Sequence, residues 1–153
     1  MQDNTFSVQQ AEDSSGFLLW QVTSLWQQQV KKVLNDKYQL NLSQFVVMTS
    51  IHWLTLHNNE VTQVSLSQHT KIDSMNISQI LKSLQNKNYI TRKEHPKDTR
   101  AKIVFLSEEG KEHIKQAIID IDIVDKHFFN KLKNIDKFNH SLIDLIKFNS
   151  FIN

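Results

Sequence analysis

The stretch YITRKEHPKDTRAKIVFLSEEG, residues Tyr89–Gly110, decides how this chain folds. Tyr89–Glu94 is too short and too alternating to be a helix, and Lys102–Leu106 is rich in β-formers. Between them, His95–Ala101 holds the only proline of the chain and a run of charges. The pattern predicts a β-hairpin with a charged tip. Ser107 is a good helix cap, and Glu108 and Glu109 suit the positive end of a helix dipole, so the hairpin runs directly into a helix.

Working upstream, Asp73 caps a helix whose apolar positions are Ile77, Ile80, Leu81 and Leu84. That leaves Ser74, Met75, Asn76, Ser78, Gln79 and Lys82 on its other face. Asn88 stands where such a helix ends in a left-handed residue. Thr62 caps a shorter helix before it, with Val64 and Leu66 as its apolar residues and Thr70-Lys71 as the connection. Two helices joined by so short a turn, the second polar on its outer face, form a helix-turn-helix pattern.

Further out, Phe17 to Leu34 carries apolar residues in steps of three and four and ends at Asn35-Asp36-Lys37. Asn41 and Gln44 have capping-box spacing ahead of a helix that stops near His57-Asn58-Asn59. Downstream, a helix continues through Ile114, Ile118, Ile121 and Phe128 to Leu132, and a last one covers about 138–150. The expected fold is mainly α with one two-stranded β-hairpin, in a single domain over 1–153.

Composition narrows the function. The chain has 153 residues, two glycines and no cysteine. Gly16 and Gly110 lie 94 residues apart, so no glycine-rich phosphate loop can be written. Disulfides, cysteine-ligated metals and cysteine redox switches are excluded. No nucleophile–base motif or paired-carboxylate signature argues for an enzyme. The longest apolar runs, Phe45–Met48 and Ile103–Leu106, are four residues, too short for a membrane span, and MQDNTFSVQQ lacks the features of a signal peptide. A cytoplasmic protein is expected.

The net charge of +2 is unevenly spread. Residues 1–70 sum to −2, residues 71–102 to +5 and residues 103–153 to −1. Both arginines, Arg92 and Arg100, lie in the basic stretch. A local excess of this kind is either a solvated face or the electrostatic footprint of nucleic-acid binding.

The chain resembles the MarR family of bacterial winged-helix transcription regulators. The most specific segment is Asp98-Thr-Arg-Ala-Lys-Ile-Val-Phe-Leu-Ser-Glu-Glu-Gly110, which looks like the family's wing signature. Leu42–Met48, Thr62–Leu66 and Leu84–Ile90 fall in the expected order and spacing. The resemblance implies a homodimer, with dimerisation helices at about 17–36 and 108–150 and a winged helix-turn-helix lobe at about 41–106. It further implies a ligand-responsive repressor on a pseudo-palindromic operator, released by a small, often aromatic, effector. Three departures stand out. Lys71 and Asn88 occupy positions that are often Gly, and Gln79 one that is often Arg. The absent cysteine excludes the family's peroxide-sensing mechanism.

On this reading the partner is double-stranded DNA. Asn76 and Gln79 are the base readers, since Asn and Gln pair bidentately with adenine, and Met75, Ser74 and Ser78 are their neighbours. Lys82 meets phosphate. Arg100 enters the minor groove from the wing tip, its side chain held by Asp98. Arg92, Lys93, Lys97 and Lys102 are phosphate contacts that position without specifying. No histidine pair has convincing metal-ligand spacing, so neither metal nor cofactor is expected. Trp20, Trp26 and Trp53 are either core residues or the lining of an effector pocket. The alternative function is a winged-helix interaction module or structural dimer that does not bind DNA.

Overall fold

The structure, a computed structural model, describes residues 5–150. The chain divides into two compact units between Ile121 and Asp122. After a 3-10 turn at Ala11–Asp13, the first unit contains α1 (Ser15–Val33), a π-helical turn (Leu34–Tyr38), α2 (Leu42–Leu56), α3 (Gln63–Thr70) and α4 (Ser74–Asn86). An antiparallel hairpin follows, β1 (Ile90–Glu94) and β2 (Lys102–Leu106), and then α5 (Glu108–Phe129) begins. The second unit takes up the end of α5 and continues into α6 (Ile135–Asn149).

Each of the six α-helices among the described residues starts on a short polar side chain that accepts a backbone N–H three residues on. Ser14, Asn41, Thr62, Asp73, Ser107 and Asn134 fill this role. Asn41 with Gln44 and Thr62 with Ser65 form full capping boxes. Each cap satisfies an amide the helix leaves orphaned, a contribution of about 1 kcal/mol. The turns after the helices use left-handed residues at Gln39, Asn58, Lys71 and Asn88, with φ between 48° and 63°. Neither glycine adopts positive φ. Lys71, at φ 63°, carries a strain of roughly 1–2 kcal/mol that glycine would not.

Val30, Leu34 and Leu40, with Val47, Met48 and Ile51 of α2, Leu66 of α3 and Ile114 of α5, are fully buried core residues. Ile77, Leu81 and Leu84 of α4 are buried as its periodicity predicts, and Ile80 is half-buried. Val64 is not: it is exposed, and Val61 takes the core position instead. Val61 precedes the α3 cap in an extended segment whose carbonyl accepts from Val104 N at 2.8 Å, with a bridge from Thr62 to Ile103. The hairpin therefore gains a short third partner from the α2–α3 loop.

The helix ends differ from the periodicity in three places. The first helix does not stop at Asn35. It winds on as a π turn to Tyr38, because Leu34 and Tyr38 are both buried. α5 ends at Phe129 rather than Leu132, and α6 starts at Ile135 on its Asn134 cap. In the second unit Phe129 packs against Phe138 across the intervening turn, with ring centroids 5.9 Å apart.

The first turn of α5 sits hard against the junction of α4 and β1. The Tyr89 carbonyl accepts from Ser107 N at 2.9 Å, and Ser107 Oγ donates to Asn88 O. A Cβ added at Gly110 would stand 2.1 Å from Tyr89 O. One turn on, His113 stacks on Tyr89 at 4.8 Å and contacts Tyr38 O through Nε2 at 2.9 Å. Tyr38 OH in turn donates to Asp120 at 2.7 Å, beside the Lys37–Asp120 ion pair. Burial, then the hydrogen bond and charge of Asp120, push the Tyr38 hydroxyl up to about 12. The bonds from Tyr38 and Lys37 draw the Asp120 carboxyl below its ordinary range.

Gly110→Ala is expected to cost about 1–3 kcal/mol in urea denaturation, because the clash is with backbone and cannot be relieved by a rotamer change. Tyr38 holds its proton more tightly folded than unfolded, so its contribution is whole below its ordinary pKa of 10.0 and is lost as pH rises toward about 12. Wild type is expected to lose stability more steeply than Tyr38→Phe over that window. Asp120 acts in the opposite sense: its contribution is lost as pH falls below the usual carboxylate range.

Candidate nucleic-acid interface

The α3–α4 turn is held by side chains rather than by glycine. Ser67 Oγ donates to Ile72 O at 2.7 Å, and Thr70 Oγ1 accepts from Ile72 N at 3.2 Å. Gln63, at the start of α3, donates through Nε2 to Ser74 O and Ser74 Oγ at 3.0 and 3.1 Å. The N-terminus of α4 is thereby fixed against that of α3. Gln63 carries no motif of its own, and its place here is visible only once the two helices are packed.

On α4, Ser74, Met75, Asn76, Gln79 and Lys82 are all exposed and Ser78 is half-buried. Met75 is 74% exposed, an unusual position for a large apolar side chain and one suited to packing on a thymine methyl. The Asp73 carboxylate accepts from both the backbone and the side-chain amide of Asn76. These bonds hold the Asp73 carboxyl below its ordinary range. The Asn76 amide has a second N–H, and with Oδ1 this still offers the donor–acceptor pair that an adenine edge requires.

The hairpin register pairs Arg92 with Val104 and Glu94 with Lys102. Side chains alternate across a strand, so Arg92 and Lys102 share one face with Val104. That face and the N-termini of α3 and α4 enclose an open cleft of about 510 Å³. Ser74, Arg92, Asp98, Arg100 and Lys102 all line it, along with Gln63. Arg92 Nε is buried there with no hydrogen-bond partner. Lys93 does not join this group: it lies on the opposite face, with Nζ 5.3 Å from the Phe105 ring centroid. Lys97 is exposed at the tip.

Asp98 does not hold the Arg100 side chain, contrary to expectation. Its Oδ1 accepts from the backbone N of Arg100 at 3.0 Å, and among the described residues no ion pair joins the two. A carboxylate two residues before an amide closes an Asx turn more easily than it reaches a long guanidinium. The tip has a second organiser that sequence reading passed over, His95. Its Nδ1 faces the backbone amides of Lys97 and Asp98, and its Nε2 faces Glu60 in the α2–α3 loop. The available signal was its place before Pro96, at the first position of a turn.

Among the described residues no group of three His, Asp or Glu side chains could hold a metal ion, and no helix is long and apolar enough to cross a membrane. A second cavity, about 460 Å³, lies between α2 and α5. Thr49, His52, Trp53, Lys115 and Ile119 line it, and Thr49 Oγ1 is buried without a partner. Burial, and then the charges of Lys115 and Lys111, push the His52 pKa down. Trp53 thus sits in a cavity wall rather than in the core, whereas Trp20 is 71% exposed.

A family model described as transcriptional regulator SarA/Rot matches residues 29–117, more than half of the chain. The HTH-type transcriptional regulator YdcH of Bacillus subtilis is 34% identical over 134 residues, covering 88% of this chain and 90% of the relative. Among solved structures, CouR from Rhodococcus jostii, bound to p-coumaroyl-CoA, superposes with a TM-score of 0.78 at 21% identity, over 95% of this chain and 98% of its own. A mutant Escherichia coli MarR complexed with operator DNA gives 0.76 at 19% identity, over 86% and 92%. The matched segment spans the helix-turn-helix and the hairpin described above, and the hairpin is a wing. The chain belongs to the SarA/Rot family of transcriptional regulators, with the winged-helix fold of the MarR regulators.

Proposed function

We propose that this regulator is a ligand-responsive repressor that binds a pseudo-palindromic operator as a homodimer. The observation that carries the reading is the cleft in which Arg92, Arg100 and Lys102 face the N-terminus of α4. Three cations converging on one cleft make a site for phosphate, held by charge-assisted hydrogen bonds from the two guanidinium groups and the ammonium. From there α4 would enter the major groove, with Asn76 and Gln79 reading bases, Met75, Ser74 and Ser78 beside them and Lys82 on phosphate. Arg100 would reach the minor groove, and Lys93 and Lys97 would contact backbone further along. MarR of Escherichia coli, solved with operator DNA, has the same fold.

Dimerisation is supported by apolar residues left in solvent. Leu19 and Trp20 on α1 are 55% and 71% exposed. Separately, Leu145 and Phe148 on α6 are 58% and 71% exposed. Patches of this kind mark association surfaces. In this reading 1–153 acts as one domain in the bacterial cytoplasm, works by binding rather than catalysis, and dimerises through its terminal helices. The cavity between α2 and α5 would take the effector: an aromatic acid, its ring beside Trp53 and Ile119 and its carboxylate on Lys115 and the Thr49 hydroxyl.

The test is selection of duplexes from a random pool by the wild-type protein. We expect A·T-leaning half-sites in inverted orientation, and Arg100→Ala to weaken the selected duplex by about tenfold. Replacing both Asn76 and Gln79 by Ala is expected to abolish preference over a scrambled duplex while sparing non-specific binding. With roughly eight phosphates neutralised, log K against log salt should slope near −7. Failure to select any duplex sinks the reading in favour of a protein-interaction module.

For the cavity, an aromatic acid that raises the melting temperature is expected also to weaken the DNA complex. Lys115→Met should lose about tenfold in affinity for that acid, on the order of one charge-assisted hydrogen bond. Unchanged affinity would remove Lys115 from the site.

A further inference from the structure

We propose that His95 is the positioning residue of the wing, and that with Glu60 it locks the wing tip to the helix-turn-helix. His95 does not line the cleft as Arg92, Arg100 and Lys102 do; it acts through the backbone of the tip. Its Nδ1 is 3.0 Å from the amide of Lys97 and 3.1 Å from that of Asp98. An imidazole nitrogen receiving two N–H groups carries no proton, so the ring proton is on Nε2 and is donated to Glu60 Oε1. The His95 side chain is 18% exposed, whereas that of Glu60 is 50% exposed.

The tip closes around this ring. His95 N donates to Ala101 O at 3.2 Å, Ala101 N to Asp98 O at 3.1 Å and Arg100 N to Asp98 Oδ1 at 3.0 Å. Arg100 is thus presented on the Asp98–Ala101 turn, within a loop closed at its base by His95. Glu60 is the residue before Val61, which hydrogen-bonds Val104 of β2, and two before Thr62, which caps α3. The loop that starts the helix-turn-helix therefore holds the wing at its strand through Val61 and at its tip through Glu60. An arginine on a hairpin tip loses conformational entropy when it is inserted in a groove, and a tip already ordered in the free protein lowers that cost. The tip acceptor, Nδ1, and the loop contact, Nε2, sit on one rigid ring, so the bond to Glu60 sets where the turn points.

The proposal rests on the reading of Arg100 as a DNA contact, and the experiment separates the two. Affinity for the duplex selected by wild type is measured for Arg100→Ala, His95→Ala, Glu60→Ala, the His95→Ala/Glu60→Ala double variant and Glu60→Gln, with thermal melting of each. Both single alanine variants at the latch are expected to weaken binding about fivefold to tenfold, with a shallower salt slope and melting within a few degrees of wild type. The double variant is expected to be no weaker than His95→Ala alone, as for two members of one interaction. Glu60→Gln keeps an acceptor for Nε2–H and is expected to restore binding. Wild-type affinity in His95→Ala, or additive losses in the double variant, overturns the proposal while Arg100→Ala remains weak. Wild-type affinity in Arg100→Ala overturns the wing reading itself, and this proposal with it.

Discussion

The carbonyl of Tyr89 is where the separate parts of this regulator meet. It accepts the amide of Ser107 as β2 turns into α5, and the bare Cα of Gly110 allows the helix to come down on it. Asn88, just before, makes the left-handed turn that ends α4. Three elements are thus registered at one peptide: α4, the wing and α5. A side chain at 110 would push the helix off the junction and turn the wing relative to α4. His113, one turn along, stacks on the same tyrosine and reaches Tyr38, so the end of the first helix is tied to the same point.

Charge within the basic stretch is organised by the acids it contains. Asp73 is occupied by the first-turn amides of α4 and Asp98 by the amide of Arg100, while Glu94 lies across the ladder from Lys102. Asp73 and Asp98 neutralise backbone donors rather than the cations nearby. Arg92, Arg100 and Lys102 are left to face the cleft, and Asp73 and Asp98 order the backbone of the segments nearby.

Much of the helix-turn-helix was legible residue by residue. Asn41, Thr62, Asp73, Asn88 and Ser107 each act through bonds to backbone within three residues or through their own φ, so their roles need no distant partner. The outer face of α4 was legible for the same reason, because helical period alone separates it from Ile77, Leu81 and Leu84. Other features stayed hidden. The π turn depends on the burial of Leu34 and Tyr38 by other elements. Val61 was passed over for Val64 because its burial comes from β2, more than forty residues away. Asp98 was given the wrong partner, since local turn geometry competes with the longer reach to a side chain.

What the sequence determined by itself is the order of elements, their caps and the location of positive charge, since these follow from local spacing and composition. Tertiary structure alone decided which charges converge. Arg92 and Lys102 share a face while Lys93 falls on the other, because the strand pleat and the packing of the wing against α3 and α4 set the sides. It likewise decided that His95 and Glu60, thirty-five residues apart, meet. Contacts of that range carry no signature in one sequence, because they depend on two segments being held in place by a core neither belongs to.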